Sequence, residues 1–120
     1  MRPASLAATL GAGRVLIGIA LLAVPDKITR AWVGTEGTPA VVLARCMGGR
    51  NMVVGAGTAL TATRNGDPVP WLVGGVVADA IDGAATLAAG DRIPPHGRLG
   101  ALALAGGGAL AGAWVARALR

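Results

Sequence analysis

The sequence has 120 residues, of which 53% are hydrophobic and only 14% charged, and its formal net charge is +5. A chain of this length forms one domain, which excludes a multidomain enzyme, and soluble domains carry about 25% charged residues. Too few polar side chains are present to cover a water-exposed surface, so we expect a membrane protein. The cations are scattered through apolar segments without interleaved aromatic residues. This pattern argues against a nucleic-acid partner and favours membrane lipid.

Four apolar stretches, residues 5–24, 39–62, 70–89 and 99–116, have about the length of 20 residues that crosses a hydrocarbon core as a helix. They are separated by segments rich in Pro, Gly, Asp and Asn, and none alternates with the period of two that a strand requires. The sequence therefore predicts a single all-α domain over residues 1–120, a compact polytopic bundle of four transmembrane helices. The first loop predicts a short interfacial helix over residues 26–33.

Five charged residues fall inside these spans, where a central charge costs about 2.5 to 3.5 kcal/mol unless it is compensated. They are Arg14, Arg45, Arg50, Asp79 and Asp82. Equal depth along the helices predicts that Arg14 pairs with Asp79 and that Arg50 pairs with Asp82. Arg45 lies about 9 Å from the start of its span, so its side chain can reach the headgroups.

The candidate site follows from these charges. Asp79 and Asp82 are three residues apart, share a helix face and are the candidate acid and base. The candidate binding groups are the three arginines Arg14, Arg45 and Arg50, together with Asn51. His96 is the only histidine and Ser5 is the only serine, which argues against a Ser-His-Asp catalytic triad and against a metal site built from histidines. We predict no metal and no cofactor.

Gly108 and Gly112 in the fourth span have the spacing that lets two helix backbones pack closely. The helix that meets them can belong to the same chain or to a second copy. A homo-oligomer through Gly108 and Gly112 is therefore one prediction, and packing within the chain is the other.

Residues 79–85, DAIDGAA, resemble the opening of the motif of CDP-alcohol phosphotransferases, whose members bind a divalent metal and a pyrophosphate. The likeness ends at Thr86 and Leu87, where that family has Ala and Arg, and the later aspartates of its motif do not follow. The chain also has fewer spans than that fold requires.

Three segments, RVLIG at 14–18, ARCMGGRN at 44–51 and ADAID at 78–82, resemble a group of small, uncharacterised actinobacterial membrane proteins with four helices. This resemblance implies a multi-pass protein of a bacterial plasma membrane and no particular activity. The RVLIG segment is also similar to the first helix of DoxX-like membrane proteins. Small multidrug exporters have a similar length, but their first span carries Glu where this chain has Arg14.

The sequence thus predicts a small integral membrane protein of unknown activity, with an Asp and Arg cluster near the membrane centre. A membrane enzyme that uses Asp acid or base chemistry on a lipidic or isoprenoid-like substrate is one alternative. A small proton-coupled transporter and a scaffold subunit are the others. A pocket beside the Asp pair would favour the enzyme, a wet path across the membrane the transporter, and a closed centre the scaffold.

Overall fold

The computed structural model describes all 120 residues and contains five α-helices and no β-strand. The helices are α1 (Pro3–Ala23), α2 (Pro25–Val33), α3 (Thr38–Thr63), α4 (Val69–Ala89) and α5 (Pro95–Ala118). A proline stands in the first turn of each helix, where its fixed φ is suitable and its missing N–H is not needed. The four long helices begin and end within four residues of the predicted spans, and the predicted interfacial helix is α2.

Three of the four long helices, α1, α4 and α5, are long and apolar enough to cross a membrane. The prediction of four such helices is therefore confirmed for three only. With 26 residues α3 is long enough, about 39 Å at the helical rise, but it is less apolar. Arg45, Arg50 and Asn51 interrupt its apolar sequence and lower its mean hydropathy.

The surface is that of a membrane protein. Only 21 of the 120 residues are buried, and large apolar side chains point outward from every long helix, among them Leu16, Val53, Ile81 and Leu110. In water, exposed apolar patches of this extent are rare on a monomer. The interior instead holds small and polar residues, including Asn51, Thr58, Asp79 and Thr86.

Helices α1 and α3 pack together as a close antiparallel pair through glycines seven residues apart on each helix. Gly11 faces Gly55 and Gly18 faces Gly48, each against the other's carbonyl group. Residues 11–18, GAGRVLIG, and 48–55, GGRNMVVG, both begin and end with a glycine, and Arg14 and Asn51 occupy the same place between these glycines. The absence of side chains at these glycines is what allows the two backbones to approach.

Helices α4 and α5 form the second antiparallel pair. A Cβ at Gly112 would lie 2.9 Å from Cγ2 of Val76, and a Cβ at Gly108 would lie 2.5 Å from Oδ2 of Asp79. The predicted glycine face of the fourth span therefore meets another helix, and that helix belongs to the same chain. An oligomer through Gly108 and Gly112 stays a prediction.

The two helix pairs meet mainly at their ends. At the end that holds both termini, all four long helices contribute to an apolar cluster built on Ala7, Leu72, Val115 and Ala116. At the other end, α2 contacts α1, α3 and α5, and the Trp32 carbonyl lies against Gly97 at the start of α5. Between these contacts at the two ends, polar side chains join one helix pair to the other.

We expect Gly55→Ala to lower the free energy of unfolding by about 1 to 3 kcal/mol, as overpacking of a close contact does. The new Cβ would lie 2.5 Å from the Gly11 carbonyl oxygen and 2.8 Å from the Val15 nitrogen. Both are backbone atoms, which can move away only if the helix itself shifts. The matched control is Gly49→Ala on the same helix, where no atom lies within 4 Å of the added carbon. Titration of the micellar protein with dodecyl sulfate, followed by circular dichroism, measures both, and equal losses would contradict the glycine packing.

Candidate functional site

Arg14 is the centre of a polar cluster that joins three helices near the middle of the molecule. Its guanidinium forms an ion pair with Asp79 on α4 and donates a hydrogen bond to Oδ1 of Asn51 on α3 at 2.9 Å. It also donates to the Gly75 carbonyl oxygen at 3.4 Å, where the lack of a side chain leaves room for the guanidinium. Asn51 in turn donates to the Met47 carbonyl oxygen at 3.1 Å, which holds its amide in place.

A second ion pair connects α3 and α4 one turn further along. Arg50 donates to both carboxylate oxygens of Asp82, at 3.0 and 2.5 Å, in the two-pronged geometry that a guanidinium makes with a carboxylate. The Thr86 hydroxyl donates to the backbone oxygen of Asp82 at 2.7 Å. The Arg50 Nε–H is buried and has no acceptor.

The two predicted ion pairs are thus confirmed. In each of them the positive charge lies in one helix pair and the negative charge lies in the other. Both arginines belong to the unit of α1 and α3, and both aspartates belong to α4. Two positive and two negative charges cancel within the cluster. In an apolar medium the attraction between such charges is weakly screened, so these pairs bind the two halves of the molecule together.

Arg45 lies apart from this cluster. It is exposed on the outer surface of α3 and forms no ion pair, as expected for a side chain that extends to the headgroups. The structure therefore brings five of the six candidate residues together and leaves Arg45 outside. Their roles as acid, base or binding groups stay predictions.

A cavity of about 900 Å³ lies between the two helix pairs and is partly open to the surface. Its wall is mostly apolar and includes many glycines and alanines, while Arg14, Asn51, Asp79 and Asp82 supply its central polar patch. The side chains of Arg14 and Asp79 remain 17% and 11% exposed, which makes them accessible from the cavity. Along α1 the cavity extends from Thr9 to Leu21, about 18 Å at the helical rise.

Three residues at the α2 end of the cavity were not predicted as part of a site: Lys27, Trp32 and His96. The sequence signal for Trp32 is the apolar side of the interfacial helix, whereas Lys27 lies with Arg30 on its polar side, and no pattern in the sequence marks Lys27 or His96. Arg30 pairs with Glu36 at the surface. The hydrogen bond from Arg30 and the attraction of the Glu36 carboxylate raise the pKa of the Arg30 guanidinium above its ordinary value.

The structure brings no three His, Cys, Asp or Glu side chains together, and both aspartates of the cluster are bound to arginines. The predicted lack of a metal and of a cofactor stays a prediction. The chain matches no protein-family model, no characterised protein and no solved structure.

We expect Asp82→Ala to lower the free energy of unfolding by about 2.5 to 3.5 kcal/mol, because it leaves Arg50 uncompensated within a membrane helix. Adding Arg50→Met should recover part of this loss, since the unpaired charge is then removed as well. Arg45→Met serves as the control, because Arg45 is exposed and its removal leaves no carboxylate without an ion-pair partner. Unfolding of the four proteins by dodecyl sulfate gives the comparison, and a double variant no more stable than Asp82→Ala would refute the pairing.

Proposed function

We propose that this chain is an integral protein of a bacterial plasma membrane, that it crosses the membrane four times, and that it binds a lipidic ligand in its central cavity. The fourth crossing is α3. Its inward polar residues, Arg50 and Asn51, are bonded within the protein, and Arg45 is near enough to the helix start to reach the headgroups. The bacterial membrane is supported by the resemblance of segments 14–18, 44–51 and 78–82 to small actinobacterial membrane proteins.

The observation that carries the proposal is an apolar cavity with an accessible polar patch at its centre. Ligand pockets commonly measure about 300 to 1,000 Å³ and combine apolar walls with a few fixed polar groups. The cavity of about 900 Å³ has this character. A subunit with only a structural role needs the ion pairs for register, but it does not need this open volume beside them.

The polar patch favours a neutral oxygen of the ligand, such as a hydroxyl or carbonyl group. Arg14 provides N–H donors and Asp79 provides acceptor oxygens, and the charges of the two cancel. A lone anion or cation at this position would disturb a balanced pair in a medium that screens charges poorly. The ligand we expect is therefore largely apolar along the length of α1 that lines the cavity.

Ala101→Phe should displace the ligand, because Ala101 lines the cavity and the added ring would fill part of it. Ala103→Phe is the matched control, since Ala103 is exposed on the same helix and lies outside the cavity wall. Lipids that remain on the protein after exhaustive detergent washing are quantified by mass spectrometry and compared with the bulk membrane. We expect one enriched lipid class with the unaltered chain and Ala103→Phe, and its loss with Ala101→Phe. Retained lipid that matches the bulk membrane in all three proteins would overturn the proposal.

A membrane enzyme that acts on the bound lipid is the second candidate, and the accessible carboxylate of Asp79 in the cavity wall is the observation that favours it. In this scheme Asp79 accepts a proton from the substrate while Arg14 holds an oxygen on which negative charge develops. Asp82 also lines the cavity, but both of its carboxylate oxygens accept hydrogen bonds from Arg50.

Asp79→Asn should then preserve binding of the enriched lipid and abolish its conversion, because the amide keeps the shape but cannot act as a base. The measurement is the change in mass of the retained lipid during incubation with the purified protein. Conversion at an unchanged rate by Asp79→Asn would exclude Asp79 as the base, and the absence of any conversion by the unaltered chain would leave lipid binding as the function.

A further inference from the structure

On the side where α1 and α5 border the cavity, residues of its wall are also exposed at the outer surface. On each helix they follow one another at intervals of three or four residues and so share one face. We call them the lateral opening; they are Thr9, Gly13, Ile17 and Ala20 on α1, and Gly100, Leu104, Gly107 and Ala111 on α5. Ile17 and Leu104 are 45% and 69% exposed although both line the cavity. The cavity therefore reaches the surface between these two faces.

Glycines keep the lateral opening clear. A Cβ at Gly13, Gly100 or Gly107 would meet no atom within 4 Å. The neighbouring Gly108 differs, because its Cβ would lie 2.5 Å from Oδ2 of Asp79. Helix α5 thus packs against α4 with one face and leaves the adjacent face, toward α1, without a neighbour.

The opposite side of the cavity, between α3 and α4, is closed. Arg50 binds both carboxylate oxygens of Asp82 across this side, and the Trp71 ring lies against Gly57. The residues of α3 that line the cavity are buried or half-buried, and none is exposed; they are Met47, Asn51 and Thr58. Access from the surface is therefore on the side of α1 and α5.

The lateral opening is bounded at both ends. At the terminal end, Ala7 of α1 and Val115 of α5 belong to one apolar cluster. At the other end α2 follows directly on α1, and the Trp32 carbonyl lies against Gly97 of α5. Between these contacts each helix lines the opening over about 16 Å at the helical rise.

The medium in front of the lateral opening is hydrocarbon. Both flanking helices, α1 and α5, are long and apolar enough to cross a membrane. Gly107 lies about 18 Å from the start of α5 at the helical rise, which is the middle of that helix. A hydrocarbon core is about 30 Å thick, so the opening faces lipid acyl chains and not water.

We propose that the ligand enters and leaves the cavity sideways, from the hydrocarbon core of the membrane through the lateral opening. This inference rests on the proposed lipid-binding function and specifies the ligand as a water-insoluble membrane lipid. Its acyl chain lies between α1 and α5, and its neutral oxygen reaches Arg14 and Asp79 in the cavity wall. A second copy of the protein fits the opening less well, because a helix on the outer surface would cover the cavity of about 900 Å³ without filling it.

The rate of lipid exchange tests the route. Washed protein with its retained lipid is mixed with an excess of detergent micelles that contain a fully deuterated bacterial polar lipid extract, and the deuterated fraction of the retained lipid is followed by mass spectrometry. Gly107→Trp and Gly106→Trp form a matched pair, because both glycines have open space beside them and only Gly107 lines the cavity.

We expect Gly107→Trp to slow exchange by about tenfold, an increase in the barrier of about 1.4 kcal/mol, and Gly106→Trp to leave the rate unchanged. Gly13→Trp, on the opposite edge of the opening, should slow exchange similarly. Circular dichroism confirms that each variant is folded. If the indole at position 107 excludes lipid altogether, Gly107→Leu and Gly106→Leu provide the comparison. Equal rates for the variants at positions 106 and 107 would overturn the lateral route.

A nitroxide spin label identifies the medium at the opening independently. Cys46, the only cysteine, is first replaced by Ser, and the label is attached through Gly107→Cys in nanodiscs. Leu110→Cys on the exposed surface of α5 and Arg120→Cys at the end of the chain are the references for lipid and water. We expect the label at position 107 to collide with oxygen as readily as the label at 110 and to exclude a water-soluble nickel chelate. Collision with the chelate as at 120, or with neither agent, would mean an opening to water or one covered by a second copy, and either would overturn the proposal.

The failure of the route and the failure of the function give different results. If the unaltered protein retains no enriched lipid, or if Ala101→Phe leaves the retained lipid unchanged, the lipid-binding function fails and the lateral route fails with it. If Ala101→Phe displaces the lipid while Gly107→Trp and Gly13→Trp exchange it as fast as the unaltered protein, the function stands and the lateral route is wrong.

Discussion

Compensation of charge in an apolar medium is the constraint on which this structure depends. Every charge inside the long helices must be neutralised by a partner or brought to the headgroups, because an isolated charge at the centre of a membrane is too costly. The chain meets this constraint across the interface of its two helix pairs. Both internal arginines lie on α1 and α3, and both aspartates lie on α4. Neither half can therefore compensate its own charges, and the assembled bundle is the state in which all four have partners.

The same arrangement explains how a protein this small can hold a cavity. Backbone approach at glycines makes α1 and α3 one rigid unit, while α4 and α5 pack through Gly108 and Gly112. Large apolar side chains face outward, so little bulk remains to fill the space between the units. The ion pairs and the apolar cluster at the terminal end hold the units at a fixed separation. An open volume of about 900 Å³ is the result.

The electrostatic character of this volume changes along its length. Its centre contains balanced charges, whereas its α2 end is lined by the Trp32 ring and by the exposed side chains of Lys27 and His96. A balanced centre within a mostly apolar wall matches a ligand with a long uncharged body. Helix α2 closes this end of the volume, because the Trp32 backbone lies against Gly97 at the start of α5.

The sequence by itself determined the helices and the partners of the internal charges. Proline and glycine positions mark the helix boundaries, and equal depth selects Asp79 for Arg14 and Asp82 for Arg50, since both features depend on distance along the chain. The cavity and the pairing of α1 with α3 were decided by tertiary structure alone. These features depend on the rotation of each helix about its axis and on which neighbour it contacts. Glycine spacing is compatible with several such partners, so Gly11 and Gly55 could be matched only once the helices were packed.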